Sequence, residues 1–500
     1  MNANKEELKE QISSLAYSYD VTEHSSDIHG NYGKYEGKIV CVAGRVMAIR
    51  KAGKLLFLDI LDSEGKIQAY FEYTKLGEDV FNGAKKINPG DIIGVSGTVF
   101  KTKAGEPSVN VASFALLSKA IINLPDKWHG VVDSEKRYRK RYLDLIMNED
   151  SRRIFKIRSM AVFEIRRFLN GEGFMEHETP TIQPLYGGAD AEPFRVDVNT
   201  LKEEHYLRIS DELYLKRLII AGMERVYEIC KDFRNEDIDS THSPEFTMIE
   251  IYQAYVDYNA MMDLTERMLK HISSAVLGKT SIERQGTKIE LSGRYARIKY
   301  MDSIGKALGI DISKQSDEEI IAMAENRGIR FDYGKRNIAH ALDKLFSLLI
   351  QPSLIQPTFV VDFPKSSSPL TREKRKEPGI VERFELYIAG MEIANSYSEL
   401  NNPIIQKENF DKQMEQMRAG DSEAEPLDLD FLEAMEYGMP PTGGIGIGID
   451  RLIMIMANVD SIKEVILFPM EKRGKSVLDE QIKNSGKSNA TGHNKKEAKS

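Results

Sequence analysis

At 500 residues and 56.7 kDa the chain is too long for one hydrophobic core, so two or more domains are expected. Its 69 Lys and Arg against 77 Asp and Glu give a formal charge of -8, which argues against indiscriminate nucleic-acid binding but leaves room for a local basic face. Two cysteines exclude a disulfide framework and a thiolate zinc site; with no apolar run of about 18 residues and acids where a signal peptide is apolar, a cytoplasmic protein is expected.

Residues 1–34 read as a short charged helix, with Leu8, Ile12 and Leu15 at helical spacing, running into the polar linker SSDIHGNYGKYEG. Residues 35–122 carry five runs rich in β-branched residues: KIVCVAGRV, LLFLDILD, KIQAYFEY, DIIGVSGTVF and EPSVNVASFALL. Five strands parted by turn residues suit a small barrel such as the OB-fold. Residues 34–120 hold 13 basic and 9 acidic side chains, about +4 inside a negative chain, which suggests a nucleic-acid face. Residues 123–147 are a charged connector holding the only tryptophan, Trp128.

A second domain is expected over 148–470. It opens with a helix from about Ser151 to Leu169, Ser151 as its N-cap and Gly171 past its end, with Ile154, Ile157, Ala161, Ile165 and Phe168 on one stripe. FMEHETPTIQP then alternates and stops at Pro180. Residues 259–346 look like a mostly helical insertion, and 471–500 like a disordered, mildly basic tail.

Three stretches carry chemistry. In ICKDFRNEDIDSTHSPEFTMIEIY, a strand from Val226 to Glu236 puts Glu228, Cys230, Asp232, Arg234 and Glu236 on one face, and the return strand adds Phe246, Glu250 and Tyr252. An anion-binding Arg, an aromatic platform and carboxylates suit a nucleotide together with an amine. In RFELYIAGMEIANSYSELNNP, a turn at Ala389-Gly390 pairs Tyr387 with Glu392 and sets Glu385 diagonally across. Two such carboxylates call for a hard cation, magnesium held with substrate phosphates. A bulge between Glu392 and Asn395 is needed if Glu392, Asn395, Tyr397 and Glu399 serve one site. In PTGGIGIGIDRLIMIMAN the glycines allow a close backbone approach, and Arg451 in a first helical turn makes sense beside an anion. A P-loop and a GxGxxG fingerprint are both missing.

In this order, FMEHETPTI, FRNE…HSPEFT and GIGIGIDRL resemble the three signature motifs of class II aminoacyl-tRNA synthetases. RYRKRYLDL, SDELYLKRL, VVDFPKSSSPL and SYSELNNP are similar to the lysyl members of the aspartyl, asparaginyl and lysyl subgroup. The resemblance implies an α+β fold: an N-terminal OB-fold β-barrel, then a catalytic domain with an antiparallel sheet flanked by helices. It implies ATP, L-lysine and tRNA(Lys) as substrates, magnesium as cofactor, a homodimer built on the first motif, and two-step aminoacylation through an adenylate. Carried over, Arg234 meets the α-phosphate and the lysine carboxylate, Glu236 and His242 hold the adenine and phosphate ends, Phe246 stacks on adenine, and Arg451 holds the γ-phosphate. Glu385 and Glu392 bind magnesium. The lysine α-amino group lies near Gly188 and Glu250, its carboxylate near Asn395 with Tyr397 alongside, and its ε-ammonium against Glu212, Tyr252 and Glu399. In the barrel, Arg50, Phe57 and Gln68 match the anticodon readers. A buried ammonium requires carboxylates, so Glu212 and Glu399 favour lysine over aspartate.

Overall fold

The computed structural model describes residues 9, 12, 13, 15–125, 134–331, 336–418 and 426–471. Most of the expected N-terminal helix, Trp128 and all but the first residue of the expected tail lie outside these. The chain divides into two units, residues 1–130 and 131–500, each described here by itself.

The first unit is a closed barrel of strands β1 (Ile39–Ala52), β2 (Leu55–Leu61), β3 (Lys66–Glu72), β4 (Ile92–Lys101) and β5 (Pro107–Ser118), in the order β1-β2-β3-β5-β4. Closure rests on the length of β1, whose first half pairs with β4 and whose second half pairs with β2, past an irregularity between Val46 and Ala48. Alternation decides the two surfaces: Leu56, Leu58, Ile60, Ile67, Ala69 and Phe71 fill the interior, while Phe57, Asp59, Gln68 and Tyr70 face outward. The expected polar linker is different. Helix α1 (Ser25–Gly30) and a short turn of helix at Tyr32–Tyr35 bury Ile28 and Tyr35 in the barrel core, and Asp62 accepts from the Ser25 backbone and hydroxyl. Two apolar residues seven apart are too few for a periodicity signal, yet they suffice to plug one end. Helix α2 (Tyr73–Ala84), also unexpected, adds Phe81 and Ala84 to the same core.

In the second unit, helix α3 (Glu149–Gly171) buries Ile154, Ile157, Ala161, Ile165 and Leu169. It starts earlier than expected. Asn148, not Ser151, is the cap, accepting from the Asp150 amide, and Glu149 and Asp150 suit the positive end of the dipole; Ser151 is a buried residue inside the first turn. After α3 come β6 (Met175–Glu176), a small sheet of β7 (Ile182–Gln183), β8 (Arg195–Val198) and β9 (Glu203–Leu207), and helix α4 (Glu212–Ile220).

The main sheet has eight strands in the order β14-β15-β16-β17-β18-β11-β10-β6, from β10 (Arg225–Phe233), β11 (Glu245–Ala254), β14 (Ala296–Lys299), β15 (Thr358–Pro364), β16 (Ile380–Ile388), β17 (Met391–Ser398) and β18 (Thr442–Gly448). All but its two edge pairings are antiparallel. The expected α+β fold, barrel plus antiparallel-rich sheet flanked by helices, is what the chain adopts. One face is oily: Tyr227, Ile249, Ile251, Ile445 and Ile447 pack on α3, on α5 (Tyr258–Leu277) and on α9 (Ile449–Ala457). Each of these fully buried side chains contributes roughly 1.5–3 kcal/mol.

The stretch read as a helical insertion is more mixed. Helices α6 (Tyr300–Leu308), α7 (Asp317–Glu325) and α8 (Ile338–Leu349) form their own core against Val360, Phe363 and Tyr387. Strands β12 (Ser281–Arg284) and β13 (Thr287–Glu290) make a hairpin, β14 completes the sheet edge, and α5 covers the sheet. In the barrel, a Cβ at Gly97 would overlap the Asn110 carbonyl oxygen across β4 and β5. Gly97→Ala is therefore expected to destabilise the barrel by about 1–3 kcal/mol, read as an earlier chemical-denaturation transition.

Candidate active site

The other face of the main sheet is built from the sequence stretches singled out for chemistry. In the β10–β11 hairpin Asp232 pairs with Phe246, Glu228 with Glu250 and Val226 with Tyr252, so the expected charged face exists. The strand ends at Phe233 rather than Glu236. One further bond, from the Arg234 amide to the Pro244 carbonyl, keeps Arg234 in step; the Asn235 amide turns away to the Glu192 carbonyl, while Glu236 still reaches the cavity. In the β16–β17 hairpin Ala389 and Gly390 take φ of 52° and 73°, the primed turn that tight hairpins favour, and Tyr387 pairs with Glu392. The register shifts between Leu386 and Tyr387, so Ile393 is extra and the bulge lies between Glu392 and Asn395 as the alternation required. Glu392, Asn395 and Tyr397 consequently line one cavity, of about 350 Å³.

Strand β18 is its floor. Gly446 pairs with Glu250 and Gly444 with Tyr252; a Cβ at Gly446 would overlap the Glu250 carboxylate, and one at Gly444 would overlap Glu399 and the Tyr252 ring. These glycines make room for buried acids.

At one end of the cavity stand Gly188, Ser210, Glu212, Glu250 and Tyr252. A Cβ at Gly188 would lie 3.0 Å from both Ser210 Oγ and Glu212 Cβ, so Gly188 and Glu212 share a corner. The Tyr252 hydroxyl donates to Glu250 at 3.1 Å. Burial, reinforced by Asp211, Glu212 and Asp232, pushes the Glu250 carboxyl well above the ordinary range. Glu399 does not line the cavity. It sits behind Tyr252 and Gly444, 1% exposed, in an ion pair with Lys216, which also pairs with Glu212.

At the other end Arg234 lies over the Phe246 ring, 5.0 Å from its centroid. Arg451 reaches from the first turn of α9: its Nη1 donates to the Glu392 carbonyl at 3.0 Å and its Nη2 to His242 Nε2 at 2.9 Å. Because Nε2 accepts, the His242 proton sits on Nδ1 and is donated to Asp239, 2.8 Å away. Asp239 also accepts from the Thr241 and His242 amides, which outweigh its burial and hold its carboxyl down at about 2. The loop after β10 is thus already folded toward Arg451. Glu385, like Glu399, stands behind the wall, bonded to Arg383 at 2.5 Å and to the Tyr387 hydroxyl at 2.7 Å.

On the barrel, Arg50 stands opposite Phe57 and Gln68 opposite Asp59, which places all three expected readers on one outer patch. Asp59 holds the Arg50 guanidinium by two bonds, at 2.8 and 3.1 Å, and Gln68 accepts from Ser108. Tyr70 and Phe100 continue the Phe57 ring surface at centroid spacings of 5.2 and 5.4 Å.

Comparison with known proteins agrees with this architecture. The family described as tRNA synthetases class II (D, K and N) matches residues 133–472, and the OB-fold nucleic acid binding domain matches residues 40–117. The chain is 46% identical to the lysine–tRNA ligase of Thermoanaerobacter pseudethanolicus over 91% of each chain, and 46% identical to that of Methanoculleus marisnigri over 93% of each. It is 48% identical to lysine–tRNA ligase 2 of Methanosarcina mazei, over 89% of this chain and 87% of that one. The chain belongs to the lysine–tRNA ligase family of class II synthetases.

Within this family fold, several site residues escape a reading by motif. Lys216 looks like one more helix lysine until α4 turns it inward. Arg383 lines the cavity, donating to Asn395 and Ser368, and Asp211, buried with both carboxylate oxygens unpartnered, stands behind Glu250. Asp211, Glu228 and Cys230 come close enough to suggest a metal cluster, but Arg208 and the Thr179 amide engage both Glu228 oxygens, and burial pushes the Cys230 thiol far up. Asp450 is the clearest case. Next to Arg451 and buried, it accepts from Arg158 of α3 and from the Thr247 amide of β11, clamping helix to sheet. Asp450→Ala is expected to cost about 3–5 kcal/mol, because it takes the carboxylate from the Arg158 guanidinium, which keeps only the Thr247 hydroxyl and the Val465 carbonyl, and leaves the buried Thr247 amide unpaired, read as a lowered melting temperature. A melt within 2 °C or so of the parent's would contradict that clamp.

Proposed function

We propose that this chain activates L-lysine with ATP to lysyl-adenylate and pyrophosphate, and transfers the lysyl group to the 3′ end of tRNA(Lys). The observation that carries the reading is the division of one cavity into a buried acidic end and a basic, aromatic end that holds Arg234, Phe246 and Arg451. ATP lies with its adenine on Phe246, where Glu236 and His242 hold the adenine and phosphate ends, and with its γ-phosphate at Arg451. The lysine carboxylate attacks the α-phosphorus, and pyrophosphate leaves. Both reacting groups, the carboxylate and the triphosphate, are anionic, so the protein's contribution is alignment and charge neutralisation by Arg234 and Arg451, without a protein nucleophile.

The geometry favours a specific orientation of lysine. Its α-ammonium takes the corner of Gly188, Ser210 and Glu212, beside Arg234 and Asn395 for its carboxylate, with Tyr397 alongside. Its ε-ammonium takes Glu250 and Tyr252, with Glu399 behind. This exchanges Glu212 and Glu250 between the two ends as the family resemblance alone assigned them. It is supported by the Gly188–Glu212 contact and the Tyr252–Glu250 bond. The Lys216 ammonium is already held by Glu212 and Glu399, so it is not offered to the side-chain carboxylate of aspartate.

Magnesium fits the donor set. Glu385 and Glu392 offer hard oxygens, and burial with Glu392 and Asp343 nearby pushes the Glu385 carboxyl up to about 7 even though Arg383 is beside it. Glu392, which faces the cavity, and Glu385, which backs it, would hold the ion, and it would supply positive charge against the ATP phosphates. The homodimer is supported by exposed Met160 and Phe163 of α3, with Met175 and Ile182 beyond it. The patch of Arg50, Phe57 and Gln68 is the proposed anticodon surface, with Tyr70 and Phe100 extending it for base stacking. No helix among the described residues is long and apolar enough to cross a membrane, which is compatible with the proposed cytoplasmic location.

Amino-acid-dependent ATP–pyrophosphate exchange tests the reading directly: lysine is expected to support it and aspartate and asparagine are not, and exchange with aspartate alone would overturn it. Glu250→Gln is expected to raise the lysine KM by roughly 100-fold with the ATP KM within about twofold, since a buried ammonium loses its counter-ion. The raised Glu250 carboxyl also sets a pH slope. Below its own raised pKa it holds a proton that lysine must displace, so the lysine KM is expected to fall as pH rises through that pKa, and to lose that slope in Glu250→Gln.

A further inference from the structure

Lys216 is one of the largest fully buried side chains of the protein, 1% exposed, with its ammonium between two glutamates from different parts of the chain. Glu212 lies one turn earlier on α4, and Glu399 lies just past the end of β17. The contact with Glu212 is an aligned hydrogen bond, whereas that with Glu399 is an ion pair without such alignment. Burial alone would lower the Lys216 ammonium, but the two carboxylates outweigh it and hold it charged. A lysine needs so dry a position only if its charge has a use, because an apolar residue of similar volume would cost less to bury.

The arrangement of acids at the amino-acid end shows that use. Three buried glutamates gather there, Glu212, Glu250 and Glu399, and Lys216 is the cation that two of them share. Its two partners sit at different places: Glu212 borders the Gly188 corner, and Glu399 backs Tyr252 and Gly444. A single ammonium therefore ties together the carboxylates that border the two ends of the proposed pocket.

We propose that Lys216 is a specificity-determining positioning residue: a resident ammonium that fixes Glu212 and Glu399 in place. The inference rests on the lysine reading above. Without Lys216 the two carboxylates face each other in a dry site and relieve their repulsion by taking up a proton or by parting, and either change removes the charge or the spacing that an incoming ammonium needs. Lys216 makes no contact with substrate in this arrangement; it acts through the two glutamates.

The test is steady-state ATP–pyrophosphate exchange with the full-length protein and its Lys216→Met, Lys216→Arg and Lys216→Ala variants. For Lys216→Met the lysine KM is expected to rise by roughly 30-fold or more while the ATP KM stays within about twofold, as for a buried ion pair broken on one side. Preference for lysine over norleucine, which lacks the ε-ammonium, is expected to fall by a similar factor. Lys216→Arg, which keeps the charge, is expected to recover part of the lysine affinity. Added n-propylammonium, which replaces the atoms removed in Lys216→Ala, is expected to restore it partly where the equally sized 1-propanol does not. These two arms keep the proposal open to refutation even if the Met variant folds poorly. Equal losses toward lysine and ATP, an unchanged lysine KM, or rescue by the alcohol as well as the amine would each overturn it. A parent protein inactive with lysine would instead overturn the proposed function itself.

Discussion

The structure is organised around the cost of burying carboxylates. Glu212, Glu250 and Glu399 are all nearly inaccessible, and Lys216 is the cation two of them share. Placing ionised groups in such a site costs several kcal/mol each before compensation, so the fold around them has to be rigid enough to hold them. It is. Strand β11 presents Glu250 on one face and buries Ile249 and Ile251 on the other, β18 sets its glycines against the acids and buries Ile445 and Ile447, both against α3, α5 and α9, and a one-residue slip in β11 would exchange oil for charge.

That constraint gives the glycines and the bulge their meaning. Gly444 and Gly446 leave room for Glu399, Tyr252 and Glu250, and the extra residue at Ile393 lets Glu392, Asn395 and Tyr397 share a side that strict alternation would deny them. The basic end is arranged differently. Arg451 is held by the Glu392 carbonyl and by His242, whose proton is oriented by Asp239, and Asp450 anchors the helix that carries it. One end of the cavity is thus set by burial and the other by hydrogen bonding along a loop and a helix start.

Local patterns made much of this legible. Period two placed Arg234, Phe246, Glu250 and Tyr252 on one face, the Ala389-Gly390 turn fixed the β16–β17 register, and the need for one site demanded a bulge, all of which the pairing bears out. The barrel strands were equally clear. Signals failed where the structure depends on few residues or on distant ones: Ile28 and Tyr35 plug the barrel from what reads as a linker, Asn148 outcompetes Ser151 as a cap, and β14 joins the sheet from a region that reads as helical.

Sequence by itself determined the two-domain α+β architecture, the family, and which side chains face the cavity from each hairpin, because these follow from short-range periodicity and turn chemistry. Only the tertiary structure decided the company each charge keeps. That Glu399 and Glu385 stand behind the wall, that Gly188 adjoins Glu212 rather than Glu250, and that Lys216 turns inward between two glutamates are facts about residues far apart in the chain. Charges interact through space and through the local dielectric, and a linear pattern records neither.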